Sequence, residues 1–370
     1  MTDPTRDLLP EGLEDRLPPR AAAAGRIERA ALETMDSWGY DCVRPPLIEF
    51  EKSMAERMDG IATRRMFRFV DPRSLRTLAL RSDITVQVGR IAATGLADRP
   101  RPLRLCYAGQ VARIAGDQLD PRREALQLGA ELIGSDTVAA AAEIVELAIA
   151  ALEAIGARGI SVDFTLPDLV DTLAAEEFPL EPAQVPAVRR ELDAKDAGAL
   201  KDAGGEGYLP LLYAAGPFEE AVGKLSAIDA RGVLTSRIDG LKQIAGRVGT
   251  RARLTLDPSE RHGFQYQSWF GFTIYAEGVR GTLGRGGTYR IGGSDEPATG
   301  FSLFPEELVE AAATSEPPRD SVFLPLGHDR AAAAKLRAEG WRTVAALGET
   351  DDAAALGCSH RLDGENPVGL

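Results

Sequence analysis

An arginine, a side-chain amide and a carboxylate occur close together in a region that is otherwise mostly apolar. Arg113 follows one alternating run of residues, and Gln127 and Glu131 lie within the next. Buried charges are costly unless they are paired, so these groups either pair with one another or bind a zwitterionic ligand. Spacing alone leaves both interpretations open, a salt-bridged sheet face and a binding site.

Two predicted strands position these side chains. Apolar and polar residues alternate with period two over residues 103–110 and again over 125–132, which is the pattern of a β-strand. The intervening residues 116–123 contain Gly, Asp and Pro, which favour loops. A hairpin with a long loop would present the three polar side chains on one surface.

A second polar group precedes this hairpin. Residues 66–80 predict another hairpin with its turn at 71–74, and Asp83 and Thr85 follow it. A carboxylate beside a hydroxyl is suited to holding an ammonium group. The alternative is structural, because Asp83 is also placed to cap a helix over residues 84–93.

The composition is that of an ordinary globular chain. Of its 370 residues, 44% are hydrophobic and 27% are charged, which allows two or three domains with a sizeable core. We find neither a signal-peptide pattern nor a run of about 18 apolar residues, so no membrane partner is expected. Three cysteines and three histidines are scattered, which predicts reduced thiols, a cytoplasmic location and no metal or cofactor. The formal net charge of −13 argues against nucleic acid as a partner.

The remaining patterns predict an α+β fold. A helix over residues 19–38 precedes an extended run with a double proline, which belongs at a sheet edge or an interface. A long helix capped by Ser135 or Asp136 ends at Gly156, and a mainly helical insertion, with loops at 179–186 and 204–210, occupies about 167–250. We therefore predict two domains: a core over 1–316 that contains the insertion, and a small C-terminal β-α-β domain over 317–370.

The quoted strands carry a family resemblance. The sequence YAGQVAR…REALQLGAELIG resembles motif 2 of class II aminoacyl-tRNA synthetases, in the histidyl-tRNA synthetase branch. It resembles still more closely the synthetase-like regulatory subunits of ATP phosphoribosyltransferase. The resemblance extends from about Leu8 to Leu308. It implies a class II core, an antiparallel sheet flanked by helices, with motif 3 at 297–303 and a dimer interface near the double proline.

Several positions depart from the synthetase pattern. His262 stands where the synthetases have a catalytic arginine, Thr288 stands where arginine is usual, and Glu307 replaces an arginine that clamps ATP. A carboxylate facing the γ-phosphate would repel the nucleotide. The last fifty or so residues are too few for an anticodon-binding domain. These differences predict that aminoacylation is lost, with an active histidyl-tRNA synthetase or a related amino-acid ligase as the alternative.

What the resemblance retains is the amino-acid end of the pocket. It implies a histidine site made of seven residues: Asp83, Thr85, Arg113, Gln127, Glu131, Tyr266 and Gln267. Glu131 is predicted to accept a hydrogen bond from the imidazole, with Tyr266 or Gln267 on the other side of the ring. Arg113 would hold the carboxylate, and the remaining three residues would hold the α-amino group.

The resemblance also implies a function and partners. The chain would be a non-catalytic regulatory subunit that a short-form ATP phosphoribosyltransferase catalytic subunit needs for the first step of histidine biosynthesis. The two would form a hetero-oligomer under allosteric feedback by histidine. Self-association would use the class II dimer interface.

Overall fold

The computed structural model describes most of the chain. The described residues are 8–56, 66–116, 120–261, 267–315 and 319–370. They form two compact units, of which the first ends at Ala313 and the second runs from Thr314 to Leu370. None of the helices in these residues has the combination of length and hydrophobicity that a membrane-spanning segment needs.

Helices occur throughout the first unit and once in the second. The described helices are α1 (Arg20–Ser37), α2 (Glu51–Ala55), α3 (Thr85–Ala93), α4 (Val138–Ala154), α5 (Leu169–Glu176), α6 (Val185–Asp193), α7 (Ala197–Asp202), α8 (Phe218–Ile228), α9 (Thr235–Val248), α10 (Glu306–Ser315) and α11 (Arg330–Ala338). A 3₁₀-helix, Glu206–Tyr213, lies between α7 and α8.

Short strands alternate with these helices. The described strands are β1 (Asp41–Cys42), β2 (Ile48–Phe50), β3 (Arg68–Val70), β4 (Thr77–Leu80), β5 (Leu103–Ala112), β6 (Glu124–Ile133), β7 (Ser161–Thr165), β8 (Gly216–Pro217), β9 (Arg253–Leu256), β10 (Gln267–Tyr275), β11 (Gly284–Arg290), β12 (Pro297–Leu303), β13 (Ser321–Leu324), β14 (Arg342–Ala345), β15 (His360–Asp363) and β16 (Asn366–Gly369).

The large sheet is mainly antiparallel. Among the described residues it has nine strands in the order β1-β5-β6-β12-β11-β10-β7-β9-β8. The two parallel pairs, β1 with β5 and β7 with β9, lie towards its edges, and the other neighbours are antiparallel. This arrangement confirms the predicted α+β fold with an antiparallel sheet at its centre.

The two faces of the sheet differ in chemistry because side chains alternate along each strand. On β6, Leu126, Leu128 and Ala130 belong to the main hydrophobic core, together with the apolar faces of α1 and α4. Gln127 and Glu131 point to the opposite face, where a second, smaller apolar cluster packs against α3. The predicted period-two alternation therefore separates a helix-covered face from a polar face.

The cap of the long helix differs from the prediction. Thr137, not Ser135 or Asp136, is the residue before α4, and its hydroxyl accepts a hydrogen bond from the Ala140 N–H. The hydroxyl of Ser135 instead contacts that of Thr137. Gly156 closes the helix as predicted, with a φ of +94° that disfavours other residues.

The double-proline segment separates two sheet edges. Before it, β1 is the edge strand of the large sheet, which agrees with the predicted edge position. After it, β2 joins the predicted hairpin of β3 and β4 in a separate three-stranded sheet. The chain then enters α3 through the polar residues Asp83 and Thr85.

The predicted loop over residues 204–210 is wrong in part. Pro210 lies inside the 3₁₀-helix that begins at Glu206. Burial explains this, because Tyr208 and Leu211 are both in the core and the Tyr208 hydroxyl donates to the Phe178 carbonyl at 2.8 Å. Short 3₁₀ turns accommodate such packing where a longer helix would exclude proline.

The second unit extends the predicted β-α-β pattern. Strand β13 pairs in parallel with β14, and α11 connects the two. Strand β15 also pairs in parallel with β13, and β16 completes an antiparallel hairpin with β15. The sequence prediction omitted this last hairpin, whose two strands have four residues each.

Candidate functional site

Strands β5, β6 and β12 bring the predicted polar residues together. Glu131 on β6 pairs directly with Gly300 on β12, and Gly129 pairs with both Tyr107 on β5 and Ser302 on β12. Directly paired residues point to the same face of a sheet. The polar face is therefore built from non-sequential strands whose register places hydroxyls beside a carboxylate.

Glu131 lies at the centre of this face and is almost completely buried. Only 1% of the residue is exposed. Its Oε2 atom accepts a hydrogen bond from the Tyr289 hydroxyl at 2.7 Å, and its Oε1 atom accepts one from Tyr107 at 3.3 Å. Burial raises the pKa of Glu131 to about 8, although the bond from Tyr289 acts in the opposite direction. The carboxyl group consequently keeps its proton at neutral pH.

Tyr107 connects Glu131 to the start of α3. Its buried hydroxyl lies 3.0 Å from the hydroxyls of both Thr85 and Ser302. Burial raises the pKa of Tyr107 well above its usual range, so the phenol stays neutral. A Cβ atom on Gly129 would lie 2.3 Å from the Tyr107 oxygen, which explains the glycine in the middle of β6.

Gln127 joins the same network through its amide. Its Nε2 atom donates to Asp83 and to Ser302, each at 2.9 Å, and its Oε1 atom accepts from the Ile84 N–H at 2.9 Å. Asp83 also accepts from the Thr85 N–H at 2.8 Å. Asp83 therefore satisfies a backbone donor at the start of α3, as its structural interpretation predicts, and also belongs to the polar network; a role in holding an ammonium group stays a prediction.

Glycines bring the strands close to these side chains. A Cβ atom on Gly300 would lie 1.7 Å from the Glu131 Oε2 atom. A Cβ on Gly286 would lie 2.4 Å from the Phe272 ring, and Gly287 has a φ of +153° with its Cβ position 2.4 Å from the Phe270 carbonyl. The backbone of β11 therefore approaches its neighbours closely at Gly286 and Gly287.

A cavity opens beside Glu131 on this face. The space that a water-sized sphere can occupy in it is about 20 Å³, and the unfilled space reaches about 270 Å³ when the adjoining open solvent is included. The residues that line it are Thr85, Glu131, Gln267, Arg285, Gly286, Gly287, Tyr289, Gly300, Phe301 and Ser302. Gln267 also donates to the Gly286 carbonyl at 2.8 Å, which fixes its amide at the wall.

Six of the seven predicted site residues lie in the described part of the chain, and they fall into three groups. Thr85, Glu131 and Gln267 line the cavity, and Asp83 and Gln127 lie one hydrogen bond behind it. Arg113 is half-buried near the end of β5, with its guanidinium carbon 5.2 Å from the centre of the Phe304 ring. It is not one of the described lining residues. Tyr266 lies outside the described residues, as does His262.

Sequence reasoning did not select Arg285, Tyr289 or Ser302 as site residues. The first two lie on β11, and the third lies on β12 within the predicted motif 3. Each of these three side chains points to the same face of the sheet as Glu131, because side chains alternate along β11 and β12 as they do along β6. That signal becomes informative only when the pairing register between β6, β12 and β11 is known.

A network of charged residues lies beyond the cavity, where α10 begins. Glu306 is buried and accepts from Arg16 at 2.9 and 3.0 Å and from the Leu126 N–H at 2.7 Å. Glu307 lies 3.5 Å from Arg122 and 3.9 Å from Arg280. The arginines that approach the first turn of α10 are thus engaged by carboxylates of this chain.

The sequence of this chain is similar to those of known proteins. A family model described as histidyl-tRNA synthetase matches residues 12–308. An ATP phosphoribosyltransferase regulatory subunit from Rhodospirillum centenum is 42% identical over 374 aligned residues, covering 97% of this chain and 96% of the relative. A protein of the same name from Paramagnetospirillum magneticum is 41% identical, with 96% of each chain covered. The chain belongs to the ATP phosphoribosyltransferase regulatory subunit family.

A solved structure supports the fold of this regulatory subunit family member. The crystal structure of an ATP phosphoribosyltransferase regulatory subunit/histidyl-tRNA synthetase from Bacillus halodurans superimposes with a TM-score of 0.80. The two are 24% identical, and the match covers 96% of this chain and 97% of the other. The predicted class II synthetase-like fold is confirmed. The family model ends before the second compact unit, whereas the aligned relatives cover nearly the whole chain.

Proposed function

We propose that this chain is a non-catalytic regulatory subunit that assembles with a short-form ATP phosphoribosyltransferase catalytic subunit. In this complex it would support the first step of histidine biosynthesis and make that step responsive to histidine. The proposal is supported by relatives of that name at about 40% identity over almost the full chain. Feedback requires that histidine bind one state of the complex more tightly than another.

The observation that carries the proposal is a buried, protonatable carboxyl group at the wall of a polar cavity. Glu131 would bind the imidazole of histidine, with Gln267 or Tyr266 on the other side of the ring. Such a pocket would reject an aliphatic amino acid, because buried polar groups would be left unpaired. Asp83, Thr85 and Gln127 would hold the α-amino group, and Arg113 would provide positive charge for the carboxylate.

The charges around α10 support a loss of amino-acid activation. Adenylation depends on positive charge placed at the phosphates of ATP. Here Arg122 lies 2.7 Å from Asp120 and also close to Glu307, so part of its charge is already neutralised within the chain. Thr288, which stands where the resemblance makes arginine usual, is completely buried, and its hydroxyl contacts the backbone of β10.

Self-association is part of the same proposal. Strand β1 is an edge strand of the large sheet, and the double-proline segment follows it directly. A second copy of the chain would pair along this edge, as the class II resemblance implies. Sedimentation of the purified chain over a concentration series tests this, and a monomer at micromolar concentrations would contradict it.

The deciding experiment is reconstitution. The chain is mixed with a short-form catalytic subunit, and phosphoribosyl-ATP formation is followed with and without histidine. We expect activity that requires this chain and falls when histidine is added. Glu131→Ala should remove the response to histidine, whereas Glu124→Ala, at an exposed position on the same strand, should not. No co-elution and no change in rate would contradict the proposal.

The alternative function has its own assay. A histidyl-tRNA synthetase or an amino-acid ligase would exchange pyrophosphate into ATP in the presence of histidine. The match to the histidyl-tRNA synthetase family model makes this control necessary. We expect no exchange above background, and histidine-dependent exchange would favour the alternative.

A further inference from the structure

Arg285 occupies a position on the polar face that no predicted role explains. It pairs directly with Ser302 on β12 and with Thr273 on β10, and it lines the cavity that contains Glu131. Among the lining residues in the described part of the chain, it is the one with a cationic side chain. The cavity therefore has a carboxyl group at one side and a guanidinium group at another.

Glycines lie between these two groups in the sheet. Glu131, Gly300 and Gly287 form one row across β6, β12 and β11, and Arg285 lies two residues farther along β11. Strand spacing and rise place the Cα atoms of Glu131 and Arg285 about 12 Å apart. Gly300 and Gly287 have no side chains, and the Glu131 carboxylate and the Gln267 amide lie over them.

The row that contains Arg285 also contains groups predicted to bind an α-amino group. Ser302 lies opposite Arg285, accepts from Gln127 at 2.9 Å and lies 3.4 Å from the Thr85 hydroxyl. The α-amino and α-carboxylate groups of an amino acid are attached to the same carbon atom. A ligand whose ammonium lies at Thr85 and whose side chain reaches Glu131 must therefore place its carboxylate close to this row.

The geometry points to Arg285 as the residue that binds the α-carboxylate of the amino-acid ligand. A guanidinium group forms two parallel hydrogen bonds with a carboxylate, which gives it both strength and orientation. Arg113, by contrast, lies over Phe304 and is not one of the described lining residues. This assignment rests on the proposed histidine site and names the group that distinguishes an amino acid from an amine.

The test compares histidine with histidinol, which replaces the carboxylate by a hydroxymethyl group. Calorimetry is performed on the full chain and on Arg285→Ala, Arg285→Lys, Arg113→Ala and Arg290→Ala. Arg290 is an exposed residue of the same strand and serves as the matched control. We expect Arg285→Ala to weaken histidine binding by about 10- to 100-fold, the usual effect of losing a charged hydrogen bond, and to leave histidinol binding unchanged.

Arg285→Lys keeps the positive charge but cannot form the two parallel hydrogen bonds, so it should lose less histidine affinity than Arg285→Ala. This variant preserves the test if the alanine variant does not fold. Equal losses for histidine and histidinol, or a selective loss in Arg113→Ala alone, would overturn the assignment while leaving the histidine site in place. Absence of histidine binding by the unmodified chain would overturn the proposed site as well.

Discussion

Histidine binding to this chain should depend on pH with a maximum between about 6.5 and 8. The reason is that both partners of the central contact titrate in that region. Burial raises the pKa of Glu131 to about 8, and the pKa of a free imidazole side chain is about 6.5. The perturbations are a change in pH from about 5.5 to 9 and the substitution Glu131→Gln.

The magnitude follows from counting protons. The bound pair of imidazole and carboxyl shares one proton between two groups. Between the two pKa values, free Glu131 already carries that proton and free imidazole is neutral, so binding neither releases nor takes up a proton. Below about 6.5 one proton must leave, and above about 8 one must be taken up, so affinity falls about tenfold per pH unit on each side.

Calorimetry in buffers with different ionisation enthalpies measures both the affinity and the proton count. We expect no net proton transfer near pH 7, release of about one proton near pH 5.5 and uptake of about one near pH 9. In Glu131→Gln the alkaline decline attributable to the carboxyl group should disappear, because an amide does not titrate. Tyr289→Phe should move that decline to higher pH, since the Tyr289 hydroxyl stabilises the carboxylate.

Two results would refute this reasoning. One is an affinity that stays constant from pH 6 to 9. The other is an alkaline decline that is the same in Glu131→Gln and in the unmodified chain, because it would then arise from another group, such as the ligand's ammonium.

Three further predictions concern stability and are measured by chemical unfolding. A carboxyl group with a raised pKa opposes folding increasingly as the pH rises from its unfolded pKa near 4.5 to about 8. Glu131→Gln should therefore gain up to about 5 kcal/mol of stability relative to the unmodified chain across that window, and a constant difference would contradict this. Gly300→Ala should cost at least about 3 kcal/mol, because the new methyl group would overlap the Glu131 carboxylate, whereas Gly223→Ala in an open helical position should stabilise by about 0.5–1 kcal/mol. Glu306→Gln should cost about 3 kcal/mol by breaking a buried ion pair, and Glu310→Gln at an exposed pair about 1 kcal/mol or less; similar costs would show that burial of Glu306 is unimportant.

The local sequence pattern was sufficient to predict the hairpin of β5 and β6 at the centre of the site. The alternation of Gln127, Gly129 and Glu131 with leucines and alanine predicts a strand with one apolar face, and β6 has that form. The turn-rich entry to α3 was equally readable, because Asp83 lies between a strand and a helix. In both cases the decisive interactions are between residues that are neighbours within a strand or a turn.

The rest of the site depends on distant pairings that local pattern does not encode. Arg285 and Tyr289 reach the cavity because β11 pairs with β12, and β12 pairs with β6. Strand β6 lies more than about 150 positions before the other two in the chain. Whether Arg113 or Arg285 faces the cavity is decided by that register. The cap at Thr137 was missed for a related reason, since three consecutive polar residues offered similar hydroxyl or carboxylate acceptors.

The separation of the two sheet faces has a consequence for how such a protein can change over time. The leucines and alanines beneath α1 and α4 maintain the fold, while in the proposed function the side chains on the opposite face would decide what is bound. A substitution on the polar face can therefore exchange one chemistry for another without dismantling the scaffold, provided that the glycines keep the strands close. An ancestral catalyst with this architecture could lose its reaction and retain its ligand, and such a molecule would be well suited to serve as a sensor.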